Sequence, residues 1–80
     1  MNIRELKARL IEKRIPTEYY SLDGGYPNEA YCIGNTKNKW EVYYSERGNK
    51  SSLKMFDAEE DACNYFYNWL FSALRREGII

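Results

Sequence analysis

The chain contains no histidine. That removes the usual general base near neutral pH and the commonest nitrogen ligand for metals. Cysteine is scarce as well. Cys32 and Cys63 stand thirty-one positions apart, a spacing that fits no usual zinc site. Cys32 falls in a strand pattern and Cys63 on a helical apolar face, so buried thiols are expected rather than a disulfide. Neither sign of charge is in excess: twelve basic side chains face twelve acidic ones. A general nucleic-acid binder normally shows a basic surplus, so that partner is disfavoured. No apolar run approaches the ~20 residues of a membrane span. The first residues are charged and helical in pattern, unlike a secretory leader. The expectation is a cytoplasmic protein with no cofactor and no membrane partner.

What is present is aromatic. Thirteen residues carry aromatic rings, eight of them Tyr. Eighty residues make one domain, 1–80, which buries only ~60% of the surface its unfolded chain exposes. Large rings fill so small a core efficiently, and Tyr can leave its hydroxyl at the surface. Charge is balanced overall but segregated. Residues 1–14 and 35–56 are each richer in bases, 15–34 hold only the acids Glu18, Asp23 and Glu29, and Asp57, Glu59, Glu60 and Asp61 cluster.

Residues 2–14 place Ile3, Leu6 and Leu10 on one helical stripe, with Asn2 as cap and an end near Lys13 or Arg14, ahead of Pro16. Residues 17–22 have strand composition but are few. Asp23-Gly24-Gly25 and Pro27-Asn28 turn the chain. Strands follow over residues 29–34, 39–45 and 51–56, joined by a polar loop at 35–38 and a turn at 47–50, where Gly48 or Asn49 can take a positive φ. Asp57 and Glu60 stand in a capping-box-like relation at the start of a second, longer helix. Ala58, Ala62, Phe66, Trp69 and Ala73 line its inner face, widened by Cys63, Leu70 and Leu74. Arg75, Arg76 and Gly78 mark its end. The fold class is α+β: a three- to four-stranded antiparallel meander with both helices on one face. The order is α-β-β-β-β-α, or α-β-β-β-α where the first strand is marginal.

No constellation for catalysis emerges. The serines lack a base partner, and Glu41 and Glu46 fall on opposite faces of one strand. Gly24-Gly25 is no phosphate loop, because no helix follows it. The helix–strands–helix order is that of the double-stranded-RNA-binding domain. Such domains set lysines on the phosphates at the second helix start, where this chain has four acids, so the RNA reading is the alternative and not the first choice. Aromatic base stacking on an open sheet face is a lesser variant of it.

The run Trp40-Glu41-Val42-Tyr43-Tyr44-Ser45-Glu46-Arg47-Gly48 is the most informative segment. Trp40, Val42 and Tyr44 point to one side and are expected to seal the core. Glu41, Tyr43 and Ser45 point to the other, with Glu46 and Arg47 at the rim. Tyr and Arg are frequent binding hot spots, so a protein partner is expected here. A Tyr that merely pairs across strands and a solvated Glu-Arg turn are the plainer alternatives.

That run, with Tyr20 to Gly25, Pro27 to Ile33, and Phe56 with Glu59, Glu60, Ala62 and Cys63, resembles a family of small bacterial immunity proteins, the group labelled immunity protein 59. The likeness spans residues 18–70. It implies a non-enzymatic protein that binds and neutralises a cognate toxin domain, a nuclease being one such class. A nuclease's cationic groove would be complemented by Asp23, Glu29, Glu41 and Glu46. The expected protein-binding set is therefore Asp23, Glu29, Glu41, Tyr43, Ser45, Glu46 and Arg47, on a monomer or on a weak dimer paired through an exposed edge strand.

Overall fold

The computed structural model describes residues 1–80. The first helix, α1 (Ile3–Glu12), is fixed at both ends by local sequence. The Asn2 side chain accepts from the Glu5 amide at 2.8 Å, and Glu5 accepts from the Asn2 amide at 3.0 Å. This is a reciprocal capping box that satisfies two otherwise orphaned donors. At the other end Arg14 adopts φ 59°, and the Arg14 and Ile15 amides donate to Ile11 and Leu10. That pattern is a Schellman motif, with Arg14 in the place usually taken by glycine and Ile15 folded back onto the core.

A single 3-10 turn (Thr17–Tyr19) leads into β1 (Tyr20–Ser21), followed by β2 (Ala30–Thr36), β3 (Lys39–Glu46) and β4 (Asn49–Phe56). The sheet order is β1-β2-β3-β4. The β2–β3 and β3–β4 pairs are antiparallel, as in a meander. The two-residue β1 instead runs parallel to β2, pairing Tyr20 with Tyr31 and Ser21 with Cys32. A parallel return normally needs a long crossover. Here only two residues pair, so the chain retreats just ~7 Å, a distance set by the strand rise. Residues 22–29 make that return.

Both hairpins turn in two residues. Arg47 and Gly48 both have positive φ, 51° and 76°, as a type I′ turn requires. The positive φ therefore falls on Arg47 and Gly48, and Asn49 already pairs with Glu46. A bulge at Ser52 (φ 55°) shifts the register between Val42 and Tyr44 and adds twist to the outer strand.

The long helix α2 (Glu59–Arg76) closes the fold. It ends in a second Schellman motif, with Gly78 at φ 77° and the Ile79 amide donating to Leu74 at 2.9 Å. Its start corrects the sequence expectation. Ala58 occupies the cap position and offers no side-chain hydrogen bond. Asp57 lies one residue too early, because the chain needs Asp57 and Ala58 to turn out of the edge strand. Asp57 pairs with Lys39 at the surface instead. The acidic first turn of α2 serves α1: Glu59 accepts from the Ile3 amide at 2.8 Å, and Glu60 lies 3.8 Å from the terminal ammonium.

Both helices cover one side of the sheet. Leu6 and Leu10 of α1 meet Ala62, Cys63, Phe66, Leu70 and Leu74 of α2 over Ile33 and Val42. Rings finish the margin: Tyr31 stacks edge-on against Tyr44 and Trp69, at 4.8 and 4.9 Å, and Phe56 and Tyr65 lie beyond. The two caps can be told apart by experiment. Asn2→Ala is expected to destabilise the fold by about 1 kcal/mol. Asp57→Ala should change stability by less than about 0.5 kcal/mol, since its ion pair is exposed. Urea unfolding of both variants checks this, and an equal or larger loss for Asp57→Ala would refute the assignment.

Candidate protein-binding face

The side of the sheet away from the helices carries Ala30, Cys32 and Gly34 from β2, Glu41, Tyr43 and Ser45 from β3, and Lys50 and Met55 from β4. The period-2 reading of β3 is correct: Val42 joins the helix-side core, and Tyr43 turns the other way. The expectation that this second side is bare is not. Tyr43 and Ser45 are 0% exposed. Residues 22–29 cross this side of the sheet as a strap that lies against Tyr43 and Gly34.

Three glycines let the strap lie so close. A Cβ on Gly34 would sit 3.0 Å from the Gly24 Cα and 3.3 Å from its nitrogen. Gly24 and Gly25, at φ 68° and 81°, bend the backbone across. The Gly24 amide donates to the Ile33 carbonyl at 3.0 Å. The Tyr43 hydroxyl donates to the Gly25 carbonyl at 2.6 Å. The Ser21 hydroxyl donates to the Gly24 carbonyl at 2.9 Å. Beneath the strap, Ala30, Cys32 and Tyr43 form a small apolar cluster separate from the main core.

Glu41 is not a free acid either. Lys50 reaches along β3 and donates to both its carboxylate oxygens, at 3.0 and 2.9 Å. On the way its ammonium passes 4.7 Å from the Tyr43 ring centre and 5.4 Å from that of Tyr26. The pair is largely shielded from water, and the two rings add cation–π attraction. Ser45 presents the opposite case, a buried hydroxyl with no hydrogen-bond partner.

The remaining expected residues, Asp23, Glu29, Glu46 and Arg47, are exposed. They do not form one acidic patch. Asp23 borders a shallow depression with Asn35, Trp40 and Glu59 at one end of the sheet. Glu29 and Glu46 lie at the other end, where together with Glu77 they raise the Tyr44 phenol pKa, after burial as the first cause. Strand register separates the two ends, so an unbroken acidic surface over all four carboxylates is ruled out.

The expected protein-binding set leaves out Leu53 and Met55, which alternation places together on one side of the fourth strand. Met55 pairs with Glu41, and alternation puts Leu53 on the same side. They are 48% and 50% exposed, and Tyr26 on the strap is 62% exposed. The signal was there in the alternation of β4. Nothing in it reveals that this strand is the sheet's outer edge.

The concavities are open and shallow. One of about 400 Å³ lies between α1 and the start of the strap. No group of three or more acidic or Cys side chains gathers in metal-binding geometry. No helix is long and apolar enough to cross a membrane. No protein-family model matches the chain, and neither a curated protein nor a solved structure matches it significantly.

Burial perturbs several neutral groups. It pushes the Cys32 and Cys63 thiols up to about 11, and Tyr31 up to about 12 with help from its hydrogen bond to Glu77. Tyr43 is raised as well, by burial first and then by Cys32 and Glu41. In each case the unfolded chain loses its proton at lower pH than the folded one. Stability is therefore full below about pH 9 and falls as pH climbs through 9 to 12. Melting curves from pH 7 to 11 should show a plateau and then a decline, and Cys32→Ala should make the decline shallower. A plateau extending to pH 11 would contradict the burial of these groups.

Proposed function

We propose that this chain is a protein-binding module of the immunity type, which holds and neutralises a toxin domain. The observation that carries the reading is the exposed apolar group Tyr26, Leu53 and Met55 on the strap side of the sheet. Exposed apolar groups with a charged rim are characteristic of protein interfaces. Lys50 and Glu41 sit beside them, and β4 offers a free edge. The resemblance in residues 18–70 supplies the class of partner. Glu29 and Glu46, with Glu77, give one end of the domain a carboxylate group that suits a cationic nuclease groove. With the strap closed, Tyr43 and Ser45 support this surface from beneath and do not touch the partner. The four acids at 57 and 59–61 continue to disfavour an RNA ligand, since they would repel phosphates.

The test is co-expression with the toxin domain encoded beside this chain's gene. Growth should be rescued, and a stoichiometric complex should be recovered. The double substitution Leu53→Asp with Met55→Asp should weaken the complex more than tenfold, with unfolding little changed, because both side chains are half exposed. A truncation at a hot spot costs ~2 kcal/mol or more, so the loss is measurable. Unchanged affinity would remove this face from the account, and no complex at all would remove the function.

A further inference from the structure

The strap is held differently from the rest of the fold. Its first residue, Leu22, packs against the helix-side core; beyond it the ties are one backbone bond (Gly24 to Ile33), one hydroxyl latch (Tyr43 to Gly25) and the Ser21 hydroxyl at the base. Asp23, Gly25, Tyr26, Asn28 and Glu29 are all exposed, so little of the strap is buried. What it covers is a three-residue cluster detached from the ten-residue helix-side core. Beneath this side lies the Ser45 hydroxyl, buried without a partner, which contact with water would satisfy. Positive φ at Gly24, Gly25 and Glu29 places bends where a hinge can move.

We propose that residues 23–29 are the latch-held part of the strap and open as a unit, uncovering Cys32, Tyr43 and Ser45 while Leu22, the helices and the three long strands stay in place. Segments with few buried contacts open locally at far lower cost than the whole domain. The Tyr43 hydroxyl is the latch, because it ties Gly25 to the central strand β3, whereas the Ser21 hydroxyl reaches Gly24 only from β1 at the strap's base. Opening turns a face that is sealed at rest into a second recognition surface of phenol, thiol and hydroxyl beside the Glu41–Lys50 pair. Use of that face by a partner rests on the proposed function. The opening itself does not, so the two can fail separately.

The two cysteines make the test. Cys32 lies under the strap and Cys63 in the helix-side core, and both are buried. Burial keeps both thiols protonated at neutral pH in the closed state. Labelling with a maleimide under native conditions, read by peptide mass spectrometry, therefore reports local opening at Cys32 and global unfolding at Cys63. The expected result is faster labelling at Cys32, with a weaker dependence on urea than at Cys63. Tyr43→Phe should raise the Cys32 rate about tenfold, the value of one hydrogen bond, while the weak urea dependence at Cys32 persists; the Cys63 rate rises by no more than the same factor, because global unfolding breaks that bond too. Gly34→Ala should act in the same direction by pressing a Cβ against the Gly24 backbone. Equal rates and equal urea dependence at the two thiols in the unmodified chain would overturn the strap. So would a Tyr43→Phe variant whose Cys32 rate is unchanged.

Discussion

A single constraint shapes this molecule: two helices on one side of a sheet leave the other side uncovered. Eighty residues supply no third helix, so the chain uses the eight residues between β1 and β2 instead. The close passage of Gly24 over Gly34 makes this possible, and the Tyr43 hydroxyl fixes it. The parallel pairing of β1 follows, since a chain that crosses the sheet and returns enters β2 in its original direction. The burial of Cys32, Tyr43 and Ser45 follows too. So does the outward placement of Tyr26, which sits on the strap and not beneath it.

The same constraint explains where the exposed apolar surface lies. The strap reaches β2 and β3, and β4 lies beyond it with Leu53 and Met55 uncovered. An edge strand with apolar side chains invites pairing. This one is moderated by the Ser52 bulge and by Lys54, whose ammonium lies 5.7 Å from the Tyr65 ring on the helix side. The edge can therefore stay open to a specific partner while resisting indiscriminate strand addition.

Much of the fold was legible in the sequence because it is written in local periodicity. The stripe Ile3, Leu6, Leu10 and the face built on Ala62, Phe66 and Ala73 gave both helices, and alternation in β3 correctly divided Val42 from Tyr43. The misses have a common physical origin. Alternation reports which residues share a face and is silent on what covers that face, so Tyr43 and Ser45 were expected in the open. Asp-Gly-Gly-Tyr-Pro reads as a turn, and only the approach to Gly34, ten residues later, makes it a cover. Asp57 looked like a cap because capping chemistry is read from residue type, while its actual place is set by how many residues the chain spends leaving β4. Asp23, Glu29 and Glu46 were legible as exposed but not as separated, because spacing along the chain does not give position along a sheet.

The central claim is that the strap lies on Tyr43, and its most direct measurement is the set of proton–proton contacts around that ring in solution. Nuclear Overhauser cross-peaks from the Tyr43 ring to the Gly24 and Gly25 α-protons are predicted, together with a slowly exchanging Gly24 amide bonded to the Ile33 carbonyl. A Tyr43 ring without those cross-peaks, beside a Gly24 amide that exchanges as fast as free peptide, would contradict the account.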